Sequence, residues 1–424
     1  MKQVLFIVDN FWPTATGGTI RIAKLLKYFK KSEIQPTVLT RKIANMVKYE
    51  KHENVSIFRT KAFDVGEYFQ KLKKIFKPAR QTNNTTGNKD GSVIQNNERL
   101  ANYVFAPDVD IFWALGSVFQ LFKIIKKQKI DILYSSSPCS SVHIAPLIYK
   151  LLKGNSKKWV VEFRDPWTFN PFRHPKPFLL EIIDHKLEKL VITKCDKIIV
   201  TSDEYKQQFL NKYPSIATDK INFVPNGYDP EDFAGLETRS GYNNNKIKIV
   251  HTGNFYGKRS LKPFLQALFS MYKKFPGVAD KLEFVQYGVL DPEAIAFNDI
   301  NFNPIFKCNE TIPHKQSLQQ TIWANWLLLI PGPGSGTMPG KLYEYMATGN
   351  PIIALVDEGP AKKLIEELGL GYTISTTDIE AIETIIMEIV NKIAKFKNLP
   401  DKDAINSFDR KSIANSISQI LINI

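Results

Sequence analysis

Apolar and polar residues alternate along the first 40 positions in blocks that predict a strand, a loop and a helix. Residues 4–8 form a short apolar run of the kind found in buried strands. A loop carrying Gly17 and Gly18 follows, and apolar residues then recur at helical spacing over residues 20–31. A second apolar run, residues 37–40, comes after a short connection. The pattern therefore predicts a strand–helix–strand unit that opens a parallel sheet.

The same alternation continues along the chain. Short runs rich in β-branched residues cover residues 130–134, 159–163 and 197–200, and helical patterns at residues 142–152 and 178–194 lie between them. Later apolar runs predict a second set of strands at residues 247–252, 282–286, 326–330, 352–355 and 372–374. We expect an α/β protein with two Rossmann-like domains, a cleft between them, and ligand loops at the carboxyl ends of the strands.

Composition shifts suggest where the domains begin and end. We predict an N-terminal domain at residues 1–230, a linker at residues 231–246 and a C-terminal domain at residues 247–424. The last helix, residues 413–421, can pack back toward the N-terminal domain. Residues 81–98 are rich in Asn, Thr and Gly and predict a mobile loop. Lysines accompany apolar stripes in two predicted helices, residues 61–80 and 111–129.

Length and charge limit the function further. A chain of 424 residues is long enough for two or three domains, and its net charge of +15 favours phosphates, nucleic acid or an anionic membrane as partners. The three cysteines are far apart, so neither a disulfide framework nor a thiolate metal site is expected. The apolar N-terminal run is too short for a signal peptide, and no transmembrane helix is expected. We therefore predict a cytoplasmic protein.

A glycine- and proline-rich loop in the second half is the strongest chemical motif. It runs from residue 331 to residue 346, follows a predicted strand and opens a helix. Such a loop presents backbone N–H groups to phosphate, and Lys341 adds positive charge. Glu344, one turn into the helix, can accept two hydrogen bonds from the hydroxyls of a ribose. A plain turn, followed by a glutamate that complements the helix dipole, is the alternative.

The segment PGKLYEYMATGNP, residues 339–351, resembles the nucleotide-sugar motif of the retaining glycosyltransferases of family 4, which have the two-domain GT-B fold. Other segments agree in order and spacing: the Gly17–Gly18 loop, SSSP at residues 135–138, EFRDPW at residues 162–167, VPNG at residues 224–227, and TGNFY at residues 252–256 followed by Arg259. Together these segments extend over nearly the whole chain.

The resemblance implies roles for individual residues. Glu344 would hold the ribose, while Arg259 and Lys341 would neutralise the donor diphosphate and act as catalytic residues. The other donor-binding positions that it implies are Gly17, Gly18, Asn254, Met338 and Gly340. Many family members carry a second glutamate where this chain has Gly336, so part of the sugar contact must come from elsewhere, such as the backbone N–H groups of residues 338–341.

The first half also departs from the family pattern. Where many members have a histidine at the end of a strand, this chain has Arg164 and Asp165. We expect Asp165 to be catalytic, and we place Pro138, Arg164 and Trp167 in a sugar or acceptor site. A salt-bridged turn is the alternative for Arg164–Asp165, and solvated charges are the alternative for Arg259 and Lys341. His143, His174 and His251 favour structural or peripheral roles.

Transfer of a sugar from a nucleotide diphosphate-sugar to a glycan or a lipid-linked acceptor, with retention, is the function these features favour, as in polysaccharide or glycolipid biosynthesis. The resemblance implies no metal and no cofactor beyond the donor substrate. A sugar-nucleotide epimerase of similar fold is one alternative. A nucleic-acid-binding protein is the other, although no helix-turn-helix, zinc-finger or RNA-binding signature supports it. The basic helices favour peripheral contact with the inner face of an anionic cell membrane. Ordinary core-facing helices with solvated lysines are the alternative.

Overall fold

The structure is a computed structural model. It describes residues 1–13, 17–30, 32–43, 46–61, 104–171, 173–238, 246–255, 259–298, 304–332, 338–392 and 401–424. The chain divides into two compact units. The first unit comprises residues 1–201, 205–224 and 414–424, and the second unit comprises residues 202–204 and 225–413. The mobile loop predicted at residues 81–98, and the predicted helix beyond Lys61, lie outside the described residues.

Eight strands form the sheet of the first unit, and all pairings except β3 with β4 are parallel. The strands are β1 (Lys2–Ile7), β2 (Ile34–Lys42), β3 (Tyr49–His52), β4 (Val55–Lys61), β5 (Ile132–Ser137), β6 (Lys158–Phe163), β7 (Lys197–Val200) and β8 (Ile221–Phe223). Their order in the sheet is β3-β4-β2-β1-β5-β6-β7-β8. The predicted strand at residues 37–40 is confirmed within β2, whereas the sequence analysis missed β3, β4 and β8.

The helices of this part of the chain are α1 (Gly17–Tyr28), α2 (Ile111–Lys127), α3 (Ile144–Lys153), α4 (Phe178–Lys194) and α5 (Asp203–Lys212). Helix α2 buries Trp113, Leu121 and Ile124 in the core of the first unit. The helix predicted at residues 178–194 has the bounds that the structure gives to α4.

The second unit contains a six-stranded parallel sheet in the order β11-β10-β9-β12-β13-β14. Its strands are β9 (Ile247–Thr252), β10 (Leu282–Tyr287), β11 (Phe306–Asn309), β12 (Trp326–Leu329), β13 (Ile352–Leu355) and β14 (Gly371–Ile374). This is the strand order of a Rossmann fold. Five of these strands were predicted, and β11 was missed because it is short and only half apolar.

The helices that follow β9 are α6 (Lys262–Lys274), α7 (Pro292–Asn298), α8 (His314–Trp323), α9 (Gly340–Thr348), α10 (Pro360–Glu367), α11 (Ile379–Val390), α12 (Lys402–Asn406) and α13 (Arg410–Ile422). Apolar residues from both faces of the sheet are buried against these helices, as a parallel sheet requires. The described part of the chain contains no helix with the length and apolar character that a membrane span needs.

A buried ion pair ties helix α1 to the sheet of the first unit. Arg21, one turn into α1, donates to Glu162 Oε1 at 2.8 Å, and both side chains are at most 1% exposed. Ser136 Oγ donates to the other oxygen of Glu162 at 2.5 Å. Burial works against ionisation of Glu162, but the charge of Arg21 and the Ser136 hydrogen bond hold the pKa of this carboxyl below its usual value.

We expect Arg21→Ala to lower the free energy of unfolding by about 3–5 kcal/mol, because it leaves a buried carboxylate without its partner. Urea denaturation at pH 7 measures the loss. The double variant Arg21→Met/Glu162→Leu removes both charges and should recover much of it. Since the pKa of Glu162 is lowered by folding, the pair stabilises above the unfolded pKa near 4.5 and loses this effect as the pH falls below it. An Arg21→Ala protein as stable as wild type would contradict the assignment.

Candidate functional site

The second unit brings most of the predicted donor residues to one place, the point where its strand order reverses. Strands β9 and β12 are neighbours there, and their helical connections leave in opposite directions along the sheet. In open α/β sheets, ligands bind at this point, beyond the carboxyl ends of the strands. The segment after β9 carries Gly253 and Asn254, and the segment after β12 leads to Lys341 and Glu344 in helix α9.

Lys341 lies directly against the backbone of Gly253. A Cβ atom built on Gly253 would lie 1.5 Å from Lys341 Nζ, so any larger residue would displace the ammonium group. Gly253 also has φ of +123°, a conformation that strongly favours glycine. Gly253, directly after β9, therefore creates the space that the Lys341 side chain occupies.

The electrostatic environment of this place is positive. Burial, together with the nearby charge of Arg259 and against the attraction of Glu344, lowers the pKa of Lys341 to about 8. Burial first, and then the charges of Lys341 and Arg259, hold the pKa of His251 well below its usual value. A bound anion fits this environment. Burial has removed part of the hydration of the Lys341 ammonium, and a nearby negative charge would stabilise the ammonium in place of that water.

Arg259 lies against the segment that follows β12. Its Nε donates to the carbonyl oxygen of Pro331 at 2.8 Å, and a Cβ atom on Gly332 would lie 2.8 Å from the Arg259 side chain. Arg259 and Lys341 are both half-buried. Their predicted alternative, freely solvated charges, does not match these contacts. The structure thus brings both predicted cations to the same switch point.

His314 was missed by the sequence analysis. It is the first residue of helix α8, and its Nε2 lies 2.8 Å from Glu344 Oε1. Glu344 Oε2 has no hydrogen-bond partner among the described residues, so one carboxylate oxygen is used and the other can accept from a ligand. The signal for His314 was hidden because β11, the strand that leads to α8, was not predicted.

The remaining donor positions differ in what their side chains do. Asn254 Oδ1 accepts from the backbone N–H of Val289 at 2.9 Å and from Thr311 Oγ1 at 3.0 Å. This side chain therefore links the segments that carry Val289 and Thr311. Met338 packs against the core. A Cβ atom on Gly340, at the start of α9, would meet no described atom within 4 Å. No residue that the structure describes therefore covers the backbone at this position of the helix N-terminus. Gly336 lies outside the described residues.

In the first unit, the predicted residues follow β5 and β6. Arg164 Nε donates to the carbonyl oxygen of Ser137 at 2.6 Å and forms no ion pair with Asp165, so the salt-bridged turn is not formed. Asp165 and Pro138 are exposed at these strand ends. Trp167 corrects our expectation: its ring is 4% exposed and belongs to the hydrophobic core, so it has almost no surface to offer a sugar.

Gly17 and Gly18 are the first residues of α1 and belong to the first unit. Because Lys341 and Glu344 belong to the second unit, a joint role of these glycines with the donor residues stays a prediction. The structure describes only the backbone at these two positions.

Two of the histidines are structural, as expected. His143 Nδ1 lies 2.8 Å from Ser135 Oγ, and burial lowers the pKa of this imidazole to about 3. His251 Nδ1 lies 2.6 Å from Gln286 Oε1 and its ring stacks on Phe255. His174 is exposed.

The fold also assembles one group that sequence spacing did not indicate. Ligand atoms of Asp108, Asp110 and Cys139 lie within 4.8 Å of one another. Burial raises the pKa of Asp108 to about 6, and its oxygens accept from Ser141, while Asp110 pairs with Arg41. Both carboxylates thus have protein partners.

Structural similarity to solved proteins covers nearly the whole chain. Sucrose-phosphate synthase from Thermosynechococcus elongatus has a TM-score of 0.65 at 14% identity, covering 99% of this chain and 98% of that one. A glycosyltransferase from Rickettsia africae has a TM-score of 0.62 at 14% identity, covering 99% and 97%. Anabaena HepE in complex with UDP-glucose has a TM-score of 0.59 at 13% identity, covering all of both chains. At such identities the likeness establishes the fold, which is GT-B.

No curated protein sequence matches the chain. The family model Glycosyltransferase Family 4 matches residues 15–232, which is 218 of the 424 residues and so more than half of the chain. The match includes Gly17, Gly18, Arg21 and the EFRDPW segment of the first unit. With the GT-B fold, it favours the glycosyltransferase prediction over the epimerase and nucleic-acid alternatives. The chain belongs to Glycosyltransferase Family 4 and is a glycosyltransferase.

Proposed function

We propose that this glycosyltransferase moves a sugar from a nucleotide diphosphate-sugar to a glycan or lipid-linked acceptor, with retention, in polysaccharide or glycolipid biosynthesis. The observation that carries the proposal is the half-buried Lys341 ammonium, held against Gly253 beside Arg259 and Glu344 at the switch point of a Rossmann sheet. A positive site beside an open helix N-terminus fits a diphosphate, and a neighbouring carboxylate fits a ribose.

In this proposal, the diphosphate and the ribose of the donor each have a protein counterpart. The diphosphate lies at the N-terminus of α9, where Gly340 leaves the backbone open, and Lys341 and Arg259 neutralise it. The ribose hydroxyls donate to Glu344, whose Oε2 has no other hydrogen-bond partner among the described residues. His314 holds Oε1 and so orients the carboxylate. HepE was solved with UDP-glucose, which makes UDP the first nucleotide to test.

The chemistry that we propose is electrostatic. As the bond to the sugar breaks, negative charge develops on the leaving diphosphate, and Lys341 and Arg259 stabilise it. The leaving phosphate itself takes the proton of the acceptor hydroxyl on the same face of the sugar, which gives retention. Two cationic side chains then do the neutralising that a metal ion does in other transferases, so we propose catalysis without a metal.

For the acceptor, we propose the carboxyl edge of the sheet in the first unit. Asp165 and Pro138 are exposed there, and Arg164 is held by Ser137 with its two terminal nitrogens free of hydrogen bonds to described residues. These groups can orient the hydroxyls of a sugar. Trp167 has no part in this proposal because it is buried.

We further propose that the protein is cytoplasmic and binds peripherally to an anionic membrane, where a lipid-linked acceptor would be found. The net charge of +15 supports this proposal, since each lysine or arginine near an anionic surface contributes about 1 kcal/mol.

The depressed pKa of Lys341 predicts how nucleotide binding depends on pH. Because the ammonium form binds the diphosphate, affinity for UDP should fall by up to about tenfold between pH 7 and pH 9, as the pH passes the pKa of about 8. Isothermal titration calorimetry measures this fall. Lys341→Met should bind weakly at both pH values and show little slope. A wild-type affinity that stays constant over this range would place the diphosphate elsewhere.

Removing the carboxylate of Glu344 tests the ribose contact. Glu344→Ala should weaken UDP binding by about 1.5–3 kcal/mol for each lost hydrogen bond, with an unchanged melting temperature. Glu367→Ala, an exposed glutamate at the end of α10, is the matched control and should bind like wild type.

The 2′-deoxy nucleotide makes this test specific. It should bind wild type more weakly than UDP does, but it should bind Glu344→Ala about as well as UDP does, because the lost hydroxyl then has no partner. Equal losses in both proteins would reject the assignment of Glu344 to the ribose.

A further inference from the structure

A groove of about 650 Å³ lies in the first unit between the β3–β4 hairpin and helix α2. Lys48, Lys61, Lys123 and Lys127 line it, and so does the exposed aromatic ring of Phe119. None of the residues assigned above to the donor or the acceptor belongs to it. Its position and its charge therefore call for an explanation of their own.

Among the described residues, no carboxylate pairs with the four lysines of the groove. None of them has an ion pair or a side-chain hydrogen bond in the described structure. The fifth cation of the groove, Arg59, is different, because it is buried and paired with Glu50 at 2.8 Å. Four like charges around one cavity repel each other, and an anionic occupant would relieve that repulsion.

Helix α2 keeps the groove open through a glycine. Gly116 lies in the middle of this helix, where glycine is less favourable than alanine by about 1 kcal/mol. A Cβ atom on Gly116 would meet no described atom within 4 Å, so packing against described residues does not require glycine there. The absence of a side chain at Gly116 leaves room in the groove.

Apolar residues adjoin the charges. Phe119 is 78% exposed and Leu115 is 48% exposed on the outer face of α2, and Tyr49 on the hairpin is 51% exposed. Exposed apolar side chains beside lysines are typical of a surface that meets the headgroup region of a bilayer. A soluble anion would use the lysines but not these side chains.

We propose that this groove binds the headgroup phosphate of an anionic phospholipid in a bilayer, with Phe119 and Leu115 entering the boundary between headgroups and acyl chains. The proposal rests on the membrane association proposed above and gives it a site. It is independent of the donor site, so nucleotide binding and membrane binding can fail separately.

The test compares lysines of one helix. Lys123→Glu and Lys127→Glu change lysines that line the groove, whereas Lys126→Glu makes the same change on α2 at an exposed lysine that does not line it. Lys126 and Lys127 are both in the last turn, so the helix dipole affects both variants alike. Gly116→Gln places a neutral polar side chain in the groove, so it changes neither the charge nor the apolar surface.

Co-sedimentation of the full chain with phosphatidylglycerol vesicles is the readout, with phosphatidylcholine vesicles as the neutral comparison. Binding to phosphatidylglycerol should weaken about fivefold or more in Lys123→Glu and Lys127→Glu, from about 1 kcal/mol for each lysine. It should also weaken in Gly116→Gln, because the new side chain takes the space of the headgroup phosphate. Lys126→Glu should stay within about twofold of wild type. UDP affinity should be unchanged in all four variants, which shows that the donor site is intact.

Other results would overturn the proposal in distinguishable ways. Equal losses in Lys126→Glu and Lys127→Glu would mean diffuse attraction without a site, and wild-type binding in all groove variants would place the membrane contact elsewhere. No wild-type binding to phosphatidylglycerol would reject the membrane association as well. A melting temperature raised by inorganic phosphate in wild type but not in Lys123→Glu, without vesicle binding, would indicate a soluble ligand. If Gly116→Gln unfolds the protein, the lysine variants decide alone.

Discussion

Parallel strands can be joined only by crossovers, and this constraint organises both units. All strand pairs but one are parallel, so each strand returns through a helix or a long loop and ends at the same edge of its sheet as its neighbours. In the second unit, β9 lies between β10 and β12. The connection that follows β9 and the connection that follows β12 therefore leave this edge in opposite directions along the sheet. The residues after β9 and β12 are thereby brought together although about 80 residues separate them in the chain.

At that edge, the desolvated ammonium of Lys341 is the central electrostatic feature. A lysine with its pKa lowered to about 8 is less stable as a cation than it would be in water, and Gly253 is the residue that lets it lie there. A bound diphosphate would supply the missing counter-charge. The site is thus arranged for an anion before one binds, which is the preorganisation that electrostatic catalysis uses.

Local pattern predicted much of the fold. The runs that became β1, β12 and β13 are continuous and apolar because parallel strands are buried on both faces, and such runs are easy to recognise. Strands β3 and β11 were missed for the opposite reason. Each has only four residues, β3 is mostly polar and exposed, and β11 is only half apolar, so pairing with a neighbouring strand is what makes each of them a strand.

The sequence predicted some residues of the site but not the contacts between them. Lys341 and Glu344 could be found because they follow a glycine-rich loop at the start of a helix. Such a motif lies in one short stretch of sequence and can be recognised without knowing the fold. His314 could not, since its 2.8 Å contact with Glu344 joins residues 30 positions apart through packing of α8 beside α9. Trp167 shows the reverse error: its sequence context suggested a ligand surface, and burial placed it in the core.

The sequence by itself determined the α/β class, the order of most elements, the residues of the glycine loop and the excess of positive charge. These are properties of local composition and periodicity, which do not depend on what lies across the fold. The tertiary structure alone decided which charges are neutralised. Arg21 forms an ion pair with Glu162. No ion pair with a described residue forms at the lysines of the groove, which are Lys48, Lys61, Lys123 and Lys127. The physical reason is that Coulomb interactions and desolvation depend on distances in space, and only the packing of strands and helices sets those distances.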